Sequence, residues 1–145
     1  TTAMKRDYKD LTVWQKAMDL VTEVYRTTRP FPREELFGLT SQLRRAAVSV
    51  PSNIAEGQGR LSRGEFRHFL GMAKGSLAEL DTQLLIARNL GYLSNPEPAL
   101  ERSAEVARLL NGLLNSLTAD KQQLSVDSCQ LSDPKIDNCQ PTTEN

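Results

Sequence analysis

Arginines and glycines gather where phosphate chemistry would need them, in the stretch Gly57-Gln58-Gly59-Arg60-Leu61-Ser62-Arg63, with Arg67 one turn further on. Basic side chains at a helix start are disfavoured by the helix dipole. The free amides of such a start bind phosphate, so an anion held between them would relieve the conflict. Phosphate-backbone contact is therefore one reading of Arg60, Arg63 and Arg67. The other is pairing with Glu56, Glu65 or acids of a neighbouring subunit. Six basic residues, Arg44, Arg45, Arg60, Arg63, Arg67 and Lys74, stand between positions 40 and 74 against only Glu56 and Glu65. This local excess makes them the candidate nucleic-acid-binding set. The glycines do not form a nucleotide fingerprint. No strand precedes them, Ser62 stands where a third glycine would be needed, and the Gly-Lys-Ser/Thr of a P-loop is missing.

A second constellation points to structure. At about 100° per residue, Gln42, Arg45, Ser49, Ser52, Asn53 and Glu56 form a polar edge beside an apolar stripe. Their expected partners are polar groups of the next helix, with Glu79 the natural candidate. Gln42, Arg45, Asn53, Glu56 and Glu79 are thus the expected register-fixing network, and ligand contact is the alternative. No catalytic constellation is found. His68 is the sole histidine, at mid-helix, and no Gly-x-Ser-x-Gly elbow occurs. No His, Cys and Asp cluster has metal-ligand spacing. The expectation is a protein without enzymatic activity, metal or cofactor.

Four helices must position these residues. The first starts at Leu11-Thr12, where Thr12 and Gln15 have capping-box spacing. Its stripe is Val13, Ala17, Leu20, Val21 and Val24, flanked by Trp14 and Tyr25, and it ends near Thr27-Thr28. The second runs from about Arg33 to Glu56 through Leu36, Leu39, Leu43, Ala46, Ala47, Val50 and Ile54, with a possible break at Gly38. Pro51 removes one main-chain hydrogen bond but leaves the spacing intact, so a kinked helix is expected. Gly57 is placed to end it in the left-handed conformation. The third starts at a Ser62/Glu65 capping box and follows Phe66, Phe69, Leu70, Ala73, Leu77, Leu80, Leu84 and Ala87 to about Gly91. Gly71, Gly75 and Ala78 form a strip of small residues, which suggests that a helix packs very close there. The fourth begins at Asn95-Pro96 and carries Leu100, Ala104, Ala107, Leu110, Leu114 and Leu117.

A bundle helix needs about three apolar positions in seven. The third and fourth helices exceed this, leaving Leu85, Ile86, Val106, Leu109 and Leu113 for burial against another subunit. The formal charge of zero conceals a division of the chain. Residues 1–121 hold 17 Lys and Arg against 14 Asp and Glu, and residues 122–145 hold 1 against 4. The reading is an all-α, up-and-down four-helix bundle over 8–121 with a disordered acidic tail over 122–145. Cys129 and Cys139 fall in that tail and read as free thiols of a cytoplasmic protein. No apolar run approaches the ~20 residues of a membrane span.

Several segments resemble a known family. They are Tyr8-Lys9-Asp10-Leu11, Val13-Trp14-Gln15-Lys16-Ala17, Phe31-Pro32, the run from Phe37-Gly38-Leu39 through Arg44-Arg45-Ala46-Ala47, Val50-Pro51-Ser52-Asn53-Ile54-Ala55-Glu56-Gly57, and Lys74-Gly75-Ser76-Leu77-Ala78-Glu79-Leu80. They look like the bacterial four-helix bundle family of 23S rRNA intervening-sequence proteins, over roughly residues 8–118. The resemblance implies an up-and-down protomer in a homopentamer. It also implies one of two settings. Some relatives are encoded within rRNA intervening sequences, and for these the expectation is a pure protein-interaction scaffold. Others are accessory variability determinants of diversity-generating retroelements, which bind a reverse transcriptase and RNA or DNA. The resemblance thus implies a nucleic-acid- and protein-binding accessory factor.

Overall fold

Leucines and alanines at three-four spacing place one apolar stripe on each of four helices, and burial of these stripes against one another builds the fold. A computed structural model describes residues 7–130, with side chains described through Thr118. The helices are α1 (Thr12–Thr28), α2 (Leu39–Gln58), α3 (Arg63–Asn89) and α4 (Glu97–Gln130). Short 3-10 turns precede α1 (Tyr8–Asp10) and α2 (Arg33–Glu35), and no strand occurs among the described residues. Each helix packs on two neighbours, in the cyclic order α1, α2, α3, α4 and back to α1, while the diagonal pairs stay apart.

The core is continuous from Val13, Leu20 and Val24 through Leu43, Val50 and Ile54 to Leu70, Leu77, Leu80 and Leu84, then Val106 and Leu110. Each such side chain contributes about 1.5–3 kcal/mol when fully buried. The α4 stripe is rotated from the sequence expectation. Ala99, Ser103, Val106 and Leu110 are buried, whereas Ala104 is exposed. The small Ser103 lets α4 approach α3 at a position that apolar periodicity does not mark.

Helix ends depart from expectation for identifiable reasons. Leu11, not Thr12, precedes the first turn of α1, and no side chain caps it. Gln15 reaches back to the Lys9 carbonyl instead, at 2.9 Å. Ser62 does cap α3, accepting from the Glu65 amide at 3.1 Å. Gly57 lies inside α2, which ends one residue later. Its role is packing, because a Cβ there would stand 2.8 Å from Phe69 Cβ and 2.9 Å from Phe66 Cδ2. Left-handed glycine closes α3 instead, at Gly91 with φ 79°. The strip of Gly71, Gly75 and Ala78 is exposed, and beyond its own helix backbone no described atom lies within 4 Å of a Cβ built at either glycine. No helix of this chain packs there. Helix α2 runs unbroken through Pro51. Helix α4 extends to Gln130, into the stretch expected as tail. The side chains from 119 onward, including Cys129, and all of 131–145 with Cys139, lie outside the described residues.

Candidate functional site

Along the seam between α2 and α3, polar groups meet in pairs. Ser49 Oγ lies 2.8 Å from Ser76 Oγ. Asn53 Nδ2 donates to the Ser49 carbonyl at 2.8 Å and to Ser49 Oγ at 2.9 Å. Two turns beyond, Gln83 Nε2 donates to Glu79 Oε1 at 3.0 Å and reaches Gln42 Oε1 at 3.5 Å. Asn53 thus bonds within its own helix, while Gln42 and Glu79 meet through Gln83, which sequence reasoning missed. Its signal was an amide on the apolar face between Leu80 and Leu84. Two members of the expected network stand elsewhere. Glu56 is exposed and pairs with Arg60 at 2.7 Å, one turn along its own helix. Arg45 is exposed and takes no part in the seam.

The six basic residues do not share one patch. Arg44 is held inward, its Nε donating to Thr28 Oγ1 at 3.0 Å and its guanidinium 4.7 Å from the Tyr25 ring centre. Arg45 lies beside it, without an ion pair among the described residues. Arg60, Arg63 and Arg67 surround the α2–α3 turn. There Arg60 stacks 4.8 Å from the Phe69 ring centre as well as pairing with Glu56. Arg67 is half-buried, and its Nε has no hydrogen-bond partner. Lys74 is exposed further along α3.

A groove of about 630 Å³ runs between α1 and α2. Tyr25 forms one wall, Val48 and Arg45 the other, and Leu36 and Phe37 close its end. A second hollow, of about 320 Å³, continues along the same seam past Val48 to Met18, Pro51 and Trp14. Tyr8 packs edge-on to Trp14 there, with ring centres 5.4 Å apart. Large hydrophobics exposed on this side are Met18 and Tyr25 of α1, Leu36 and Phe37 of the turn and Val48 of α2. Leu61 of the α2–α3 turn, Met72 and Ile86 of α3, and Leu90 just after it are exposed outside these hollows. Phe37 is 95% exposed. The described side chains of α4 add none. The surplus apolar surface expected on α3 and α4 is mostly absorbed within the protomer. Val106 is fully buried, Leu85 is half-buried, Leu109 and Leu113 pack against the core, and only Ile86 is left exposed.

Phe37 is exposed but firmly carried. Glu35 Oε2 accepts from the Leu39 amide at 3.0 Å, capping α2 from outside the helix. Glu35 Oε1 accepts from the Tyr92 hydroxyl at 3.2 Å. Gly38 leaves room for this carboxylate, since a Cβ there would lie 2.8 Å from Glu35 Oε2. Partial burial, with the Glu35 carboxylate beside it, pushes the Tyr92 hydroxyl pKa up. Phe31 packs 5.9 Å from the same ring, fixing the turn to the end of α3.

On the opposite side of the bundle, burial pushes the Asp81 carboxyl pKa up, and nearby Ser103 only partly opposes this. Asp81 Oδ1 and Ser103 Oγ are both buried without a hydrogen-bond partner. Among the described residues, no group of three His, Cys, Asp or Glu side chains could hold a metal ion. No described helix is long and apolar enough to cross a membrane. His68 is exposed beside the Phe69 ring.

Comparison with known proteins bears on this geometry. The model of the family described as 23S rRNA-intervening sequence protein matches residues 9–112. A solved structure, of a protein with unknown function from the S23 ribosomal protein family of Bacteroides thetaiotaomicron VPI-5482, is 23% identical. The match covers 74% of this chain and 98% of that one, with a TM-score of 0.67. At that identity the likeness speaks for the fold alone. No curated protein matches the chain.

Proposed function

We propose, from the premise that the chain belongs to the 23S rRNA-intervening sequence protein family, that it is a non-enzymatic, self-assembling binding protein. One observation carries this reading: Met18, Tyr25, Leu36, Phe37 and Val48 expose apolar surface along the α1–α2 seam, while the described part of α4 exposes no large hydrophobic side chain. Contiguous apolar surface on a soluble protein marks an interaction site. The assembly expected from the resemblance is a homopentamer in the cytoplasm, acting as a protein-interaction scaffold. Light scattering on the purified chain tests it. A mass near five protomers is the expected result, and a monomer across the micromolar range refutes self-assembly.

A second reading adds nucleic acid, with a reverse transcriptase as the accompanying partner. It is favoured by Arg45 and Lys74, which are exposed. Several copies in one ring would raise a weak patch to useful avidity. Anisotropy of labelled RNA and DNA at low ionic strength tests it. Binding that weakens steeply with salt is expected, as for contacts that release counterions. No binding at low salt removes this reading and leaves the scaffold.

A further inference from the structure

We infer that Phe37 of one copy seats in the Tyr25–Val48 groove of a second copy, so that the turn before α2 is the knob of a head-to-side contact. This rests on the self-assembly reading and names the surfaces that make it. Three observations carry it.

The first is the knob itself. Phe37 is 95% exposed and its neighbour Leu36 is 48% exposed, yet the turn that carries them is braced by Glu35 against Leu39 and Tyr92. An aromatic ring held rigidly in water loses little further freedom on docking, which is how interface anchors gain affinity. The second is the hole. The groove of about 630 Å³ is walled by an aromatic face and an aliphatic one, Tyr25 and Val48, each partly open to solvent. The third is charge. Arg45 stands on the groove wall, exposed and without an ion pair among the described residues, and Arg44 is fixed beside it. Glu34, three residues before Phe37, is also exposed and has no ion pair among the described residues. A knob carrying Glu34 therefore matches a hole carrying Arg45, and such complementarity sets the register of a contact. Knob and hole adjoin, Phe37 closing one end of the groove whose side walls are Tyr25 and Val48, so each copy offers both halves of the contact.

The test uses the full chain with Cys129→Ser and Cys139→Ser, in two separately tagged versions. One carries Phe37→Cys and the other Val48→Cys. After mixing and mild oxidation, a disulfide between the two tags is expected. In parallel, Phe37→Ala should weaken association by about 30-fold or more, the loss typical of an interface anchor. Its helical circular dichroism should be unchanged, because the side chain touches little of its own protomer. Arg45→Glu should weaken association too, and adding Glu34→Arg should restore it. A native chain that is monomeric overturns both this contact and self-assembly. An oligomeric native chain with no cross-link between tags, and with Phe37→Ala still assembled, overturns this contact alone. Cross-linking only between two Phe37→Cys chains also overturns it, since that requires knob against knob.

Discussion

Gly57→Ala isolates how closely α2 and α3 approach. An added Cβ would lie 2.8 Å from Phe69 Cβ, 2.9 Å from Phe66 Cδ2 and 3.4 Å from the Phe66 carbonyl. The Phe66 ring can turn away, but Phe69 Cβ is fixed to its backbone, so the helices must separate. Overpacking of this kind costs about 1–3 kcal/mol, and the fixed neighbour places it in the upper half. Alanine recovers about 0.8–1.0 kcal/mol of helix propensity. The net expectation is a loss of about 1–2 kcal/mol, or about 3–6 °C in Tm for a chain of this size. Gly75→Ala supplies the opposite sign, because nothing stands within 4 Å of its Cβ. It should gain up to about 1 kcal/mol from propensity alone. Both are read from urea melts of each variant at equal protein concentration, with the slope checked for a constant two-state transition. A Gly57→Ala chain as stable as Gly75→Ala would refute the close-packing account.

Other expectations follow from single contacts. Asp81→Asn tests the buried carboxyl. Its folded pKa lies above the ordinary 3.8, so the folded state holds the proton more tightly and stability falls as pH rises through that window. The variant should flatten this fall and raise Tm at neutral pH, as a series of melts from acid to neutral pH will record. Glu35→Ala strips the Leu39 amide and the Tyr92 hydroxyl of their acceptor, at about 1–2 kcal/mol in a chemical melt. Glu56→Ala should change the same melt by less than about 0.5 kcal/mol, because its pair with Arg60 is solvent-exposed.

The sequence disclosed most of the core and less of the surface. The stripes of α1, α2 and α3 were legible because every buried position on them recurs at three or four residues, as from Leu43 to Ile54 and from Leu70 to Ala87. On α4 the same logic misplaced the centre, because Ser103 fills a core position that only a small residue suits and Ala104 mimics one. The seam partners of α2 were half legible. Polar spacing pointed to Gln42, Asn53 and Glu79, but Arg45 and Glu56 share that edge without sharing its bonds. Rotation about a helix axis cannot distinguish a residue facing the seam from one a few tens of degrees outside it. Glu35 was invisible, since a cap from before the helix start follows no fixed spacing. Phe37 was invisible for the opposite reason: an aromatic beside a helix start reads as core until its neighbours are known.

The cyclic packing order also governs how the chain is wired. Helices α2 and α3 are joined by a turn of a few residues, so their contacts close a short loop. Helices α1 and α4 meet with the whole hairpin between them. Lys16 reaches Glu105 at 3.4 Å, and Glu23 reaches Arg102 at 3.9 Å. Loop-closure entropy rises with separation, so the hairpin is the natural nucleus and the α1–α4 seam the last to zip. That seam joins the first helix to the last, which makes the bundle a ring of helices with one cut. A linker of roughly ten or more residues, long enough to return along the overhang of α4 to the start of α1, with new termini in the exposed turn at Leu61, would move the cut and leave the ring unchanged.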